Sequence, residues 1–178
     1  MSFETMRLFF GLLTAGANLG VLIGLVLLLP RFTTQRNSVL AAIRGHEQQL
    51  ALLVALTATL GSLYLSEIAH LVPCTYCWYQ RIAMYPLVVI LGVAVWRADE
   101  DAGQYVVPVA AIGGLLGIYH YSVQHISSLQ GTACSTGVPC STAYFEQFGF
   151  MSIPYMAVSG FALIVMLIVA RRRSGAAA

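Results

Sequence analysis

The chain has 178 residues, 58% of them hydrophobic and only 9% charged, with a net charge of +2. A soluble domain usually carries about a quarter charged residues, so lipid is the solvent for much of this one. All nine basic residues are arginines that form no groove or stripe, and no glycine-rich phosphate loop occurs, so nucleic acid is not an expected partner.

A helix needs about 20 residues to cross a hydrocarbon core, and five stretches come close to or reach that length. The first, Leu8–Leu29, is N-terminal and apolar like a signal peptide. Its run exceeds a typical h-region, however, and Leu29-Pro30-Arg31 is not a small-residue cleavage site. A retained helix with an external N-terminus is expected. The polar piece Arg31–Gln49 leads into the second stretch, Leu50–Val72, with Glu67 and His70 three apart near its end. Ionisable groups there are functional candidates, and an interfacial Glu–His hydrogen bond is an equal reading.

Pro73-Cys74-Thr75-Tyr76-Cys77-Trp78-Tyr79-Gln80-Arg81 joins the second stretch to the third, Trp78–Trp96. Cys74 and Cys77 have the two-residue spacing of redox-active dithiols. Pro73 ends the preceding helix, and a thiolate at the start of the next is stabilised by unpaired N–H groups and the helix dipole. Arg81 lies one turn beyond Cys77 on the same face, where its charge favours a thiolate or a reduced, anionic acceptor. A structural disulfide and a zinc or copper half-site remain alternative readings of the same motif.

After Arg97–Gln104 comes the fourth stretch, Tyr105–Gln124, with His120 and Gln124 four apart near its end. His120 suits hydrogen bonding to a cofactor carbonyl or proton relay, and equally a satisfied interhelical histidine. The loop His125–Ser152 holds the second pair, Cys134 and Cys140, with Gly137 and Pro139 favouring a turn between them. Four cysteines allow three pairings. The expected arrangement is Cys74–Cys77 and Cys134–Cys140 at rest, with a transient bond between the loops during turnover. Tyr144, Phe145 and Phe148 fall on one face at helical spacing, which predicts a short interfacial helix; an ordinary apolar lead-in is the alternative. The fifth stretch, Ile153–Ala170, ends at Arg171–Arg173.

Seven arginines (Arg31, Arg36, Arg44, Arg97 and Arg171–Arg173) lie on one side of this arrangement, and only Arg7 and Arg81 on the other. By the positive-inside rule the seven are cytoplasmic. Both cysteine pairs then share the outer face, where disulfides persist and two pairs can exchange electrons. A membrane protein with purely structural disulfides and a Cys/His metal-transfer protein are the competing function classes.

Over about Leu50–Ala170 the chain resembles the DsbB family of disulfide bond formation proteins, especially its short BdbC-like branch. The likeness rests on Pro73–Arg81, on the span carrying His120 and Gln124, and on Cys134, Val138-Pro139-Cys140, Phe148-Gly149-Phe150 and Ile153-Pro154. It implies an all-α, polytopic membrane protein: a four-helix bundle, here with an extra N-terminal transmembrane helix. Residues 1–49 are then that helix and a cytoplasmic loop, 50–170 the family domain, and 171–178 a cytoplasmic tail. The resemblance also implies a protein dithiol:quinone oxidoreductase of the bacterial inner membrane. It would reoxidise a DsbA-like thioredoxin-fold partner and reduce ubiquinone or menaquinone, the kind of relay that keeps a periplasm oxidising. Carried over, the partner attacks Cys134, Cys140 exchanges with Cys74, and Cys77 as thiolate donates to the quinone beside Arg81. His120 and Gln124 match quinone-side positions, and no resident metal is implied.

Overall fold

The computed structural model describes residues 3–27, 38–39, 41–126 and 138–175. Among them, five helices are long and apolar enough to cross a membrane. They are α1 (Phe3–Leu27), α2 (Glu47–Leu63, continued by a π-helical turn over Tyr64–Ile68), α3 (Thr75–Arg97), α4 (Gly103–His125) and α5 (Ile153–Gly175). The chain is an all-helical, multi-pass membrane protein, as its composition requires. Pro86 and Pro108 sit inside α3 and α4, a placement that membrane helices tolerate.

Lipid provides no hydrophobic force between helices, so the bundle depends on close packing. Helices α2 to α5 form a ring in which α3 packs on α2 and α4, and α5 on α4 and α2. Its centre is filled by Ala55, Leu87, Leu91, Val106, Phe161 and Ile164. Small residues let the backbones approach. A Cβ on Gly113 would stand 2.3 Å from the Phe161 ring, and one on Gly117 2.6 Å from Val158. Leu12, Leu60, Val89 and Leu115 are exposed, as a lipid-facing surface demands.

Helix α1 lies outside the ring, against α5. The two ends of the bundle differ in character. At one end Gln48 donates to the Asp99 carbonyl at 2.7 Å, and Arg171 lies 4.0 Å from Glu100. At the other, α1 and the π-helical turn pack on the loop before α5 through Met6, Leu65 and Phe145.

The short helix expected at Tyr144–Phe148 is absent: this segment is irregular, with an isolated bridge between Gln147 and Met151. Its aromatic residues have separate tasks instead. Phe145 is buried beside Met6 and Leu65, Tyr144 donates to the Val72 carbonyl at 2.6 Å, and Phe148 is exposed at positive φ.

Candidate functional site

Cys74 is the N-cap of α3. Its extended backbone turns the sulfur back over the first helical turn, where it accepts the Cys77 backbone N–H at 3.4 Å. Both Cys74 and Cys77 are reduced, with their sulfurs 3.2 Å apart. The Cys74 thiol is held down to about 4, chiefly by the hydrogen bond from the Cys77 side chain. Burial opposes this, and hydrogen bonds from His120 and the Cys77 N–H reinforce it. The Cys74 sulfur is therefore a thiolate at neutral pH, the nucleophilic form of cysteine.

His120, buried in α4, lies against this sulfur with Nε2 at 3.5 Å. The same nitrogen is 3.2 Å from the Cys140 carbonyl oxygen. Nδ1 lies 3.0 Å from Nε2 of Gln80, a buried residue of α3. An amide N–H from Gln80 requires Nδ1 to accept, so the ring proton belongs on Nε2, aimed at Cys74 and Cys140. Cys140 is disulfide-bonded and packs in one buried cluster with Cys74 and Val123. Cys134 lies outside the described residues. Cys74 and Cys140, 66 positions apart in sequence, thus meet beside one histidine.

Two cavities adjoin the dithiol, and Cys77 lines both. The small one holds Cys74, His120, Gln124, Pro139 and Thr142. The other, of about 340 Å³, opens between α1, α2, α3 and α5. Its polar residues include Cys77, Gln80, Arg81, Ser62 and Tyr85, and its remaining walls are largely aliphatic. This volume is in the range of small-molecule pockets. A compact polar head beside a sulfur, with an apolar tail, matches that distribution.

Arg81 lines the large cavity. Its guanidinium donates to the Ser62 hydroxyl at 2.9 Å and the Ser62 carbonyl at 3.0 Å, and lies 5.2 Å from the Trp78 ring centroid. Among the described residues it forms no ion pair, so its charge is available to an anion in the cavity. His120 and Gln124, expected on the cofactor side, are not in that lining. Gln124 instead accepts from Ser152 at 2.8 Å and donates to the Thr142 carbonyl at 3.4 Å, tying α4 to the cysteine loop. Glu67 accepts from Ser66 rather than His70, and both Glu67 and His70 are exposed. Donor atoms of Cys74, Cys77 and His120 lie within 4.8 Å of one another. A metal there would have to displace the His120 hydrogen bonds just described.

Gln80 and Ser62 were not visible as site residues in the sequence. Gln80 stands beside Arg81 and six residues after Cys74, and only the position of His120 gives it a role. Ser62 is one of several small residues on α2, and only the reach of Arg81 singles it out.

Residues 48–171 match the family model described as disulfide bond formation protein DsbB. The chain is 50% identical over 114 residues to disulfide bond formation protein C of Bacillus subtilis (strain 168), covering 64% of this chain and 83% of that protein. It is 46% identical over 129 residues to a probable disulfide formation protein C of Bacillus cereus, covering 69% and 92%. A probable disulfide formation protein of Oceanobacillus iheyensis is 49% identical over 115 residues, covering 64% and 79%. No solved structure matches the chain.

Proposed function

Because this chain belongs to the DsbB family of disulfide bond formation proteins, we propose that it oxidises the dithiol of a thioredoxin-fold partner and passes the electrons to a membrane quinone. Its general role, that of an oxidoreductase in disulfide bond formation, follows from the family itself. The finer reading is carried by one observation: Cys77 lines both the small cavity beside the cysteine loop and the large apolar one.

The partner's thiolate attacks the loop disulfide at Cys134 and a second partner thiol resolves the mixed disulfide, leaving Cys134 and Cys140 reduced. Cys140 then attacks Cys74 of an oxidised Cys74–Cys77 pair, and Cys77 leaves. Cys134 closes on Cys140, so the dithiol now resides at Cys74 and Cys77. His120 keeps its Nε2–H on the Cys74 sulfur and steadies it as a thiolate, which favours the reduced form and makes the pair more oxidising. A bound quinone supplies a sink for two electrons and two protons. With a quinone bound, Cys77 would lie beside it, Arg81 would offer it positive charge, and the Cys74–Cys77 bond would close as two electrons leave, with one proton coming from the Cys77 thiol and the other from solvent.

The test is quinone reduction by the purified protein with a reduced thioredoxin-fold dithiol. Cys77→Ser should abolish turnover, and Arg81→Ala should raise the quinone KM about tenfold, or about 1.4 kcal/mol. An active Cys77→Ser protein would refute the mechanism. A second reading, a site for a thiophilic metal, is favoured by the clustered donors of Cys74, Cys77 and His120. Stoichiometric metal in the reduced, purified protein would support it.

A further inference from the structure

We infer that α1, which lies outside the residues matched by the family model, is a wall of the acceptor pocket and holds the apolar chain of the quinone; this rests on the quinone reading above. Phe10, Leu13, Thr14 and Ala17 of α1 line the same cavity as Cys77 and Arg81. At 1.5 Å per residue, Phe10 to Ala17 spans about 10 Å along the bundle. From Ser62, which holds Arg81, the lining runs back along α2 through Ala58 and Val54 to Leu53, about 13 Å. The pocket is thus a slot parallel to the helices, polar near Cys77 and aliphatic away from it. A flat, polar quinone head at the sulfur would send its chain along that slot, between α1 and α2.

Helix α1 is built to stay there. Phe10 packs on Gly61 so closely that a Cβ on that glycine would stand 2.7 Å from its ring. A Cβ on Gly20 would meet Leu163 at 3.0 Å, and one on Gly24 would meet Met166 at 2.3 Å. Asn18 donates to the Tyr155 hydroxyl at 3.1 Å, and Arg7 to the Glu146 carbonyl at 3.1 Å. The Thr14 hydroxyl is satisfied by the Phe10 carbonyl at 2.8 Å, so α1 presents no unpaired hydroxyl there to a hydrocarbon chain. Leu12, Leu19 and Leu22 on its far side are exposed, where lipid would cover them.

The experiment uses the full-length protein and a quinone whose polyprenyl chain carries a photoreactive group. Irradiation should label α1 between Leu13 and Ala17, and unlabelled quinone should remove the label whereas phospholipid should not. In steady-state assays, Ala17→Phe should raise the ratio of KM for long-chain over chainless quinone about tenfold. Label confined to α2, α3 and α5 would overturn the inference, as would label displaced by phospholipid. Labelling of the unaltered protein decides the matter even if Ala17→Phe fails to fold. If the unaltered protein neither reduces nor is labelled by any quinone, the quinone reading itself fails. If it reduces quinones but α1 stays unlabelled, only the inference about α1 fails.

Discussion

The Cys74 sulfur is the residue on which most of the chemistry turns, and its environment makes an ordered prediction. Its pKa is lowered to about 4, so in the reduced protein the thiolate persists at all pH values above that and protonates as pH falls through it. Thiolate ultraviolet absorbance followed down the pH scale should show this. The hydrogen bond from Cys77 is the largest cause and His120 a smaller one, so Cys77→Ala should raise the midpoint more than His120→Ala. The reverse order would mean that the histidine, not the neighbouring thiol, governs the sulfur. A milder case is Tyr144, whose hydroxyl fastens the cysteine loop to the Val72 carbonyl. Tyr144→Phe should cost about 1 kcal/mol, the net worth of one hydrogen bond, measured by thermal unfolding in detergent. The cysteines and Arg81 were legible as candidates because their chemistry is rare in apolar sequence and their spacing is local. Gln80 and Ser62 were not, because an amide or hydroxyl acquires a role only through a partner on another helix.

Among the elements, α4 and α5 are locked by glycines. Gly113→Val would drive a branched side chain into Phe161 and Ala83, both already too close for a Cβ at that position. Overpacking of this kind costs about 1–3 kcal/mol, so the variant should melt earlier than Gly114→Val, where the nearest atom stands at 3.6 Å. Equal melting temperatures would show that the ring of helices yields at this crossing. All five helices could be read from hydropathy, since a bilayer asks for length and apolarity and little else. The segment at Tyr144–Phe148 could not. Its helical spacing of aromatics was a coincidence: Tyr144 is drawn to the Val72 carbonyl, Phe145 to the Met6–Leu65 cluster, and Phe148 is exposed.

At the scale of the whole molecule, Cys74, Cys77 and Cys140 gather at one end, and the Gln48–Asp99 and Arg171–Glu100 contacts mark the other. From the arginine bias we propose that the cysteine end is external. In a background with the native cysteines replaced, Thr142→Cys should react with a membrane-impermeant thiol reagent added to intact cells, whereas Glu100→Cys should not. The opposite pattern would put the dithiol in a reducing compartment and end the proposal of an oxidase. The sequence by itself determined the number of spans, their expected orientation and the two cysteine pairs, because hydropathy, charge asymmetry and cysteine spacing are properties of neighbours along the chain. Only the tertiary structure decided that Cys74 meets His120 and Cys140, that Cys77 stands between two cavities, and that α1 closes the larger one. Those relations depend on which helix faces bury against each other, and in a bundle held by close packing that is settled by the fit of side chains from distant parts of the chain.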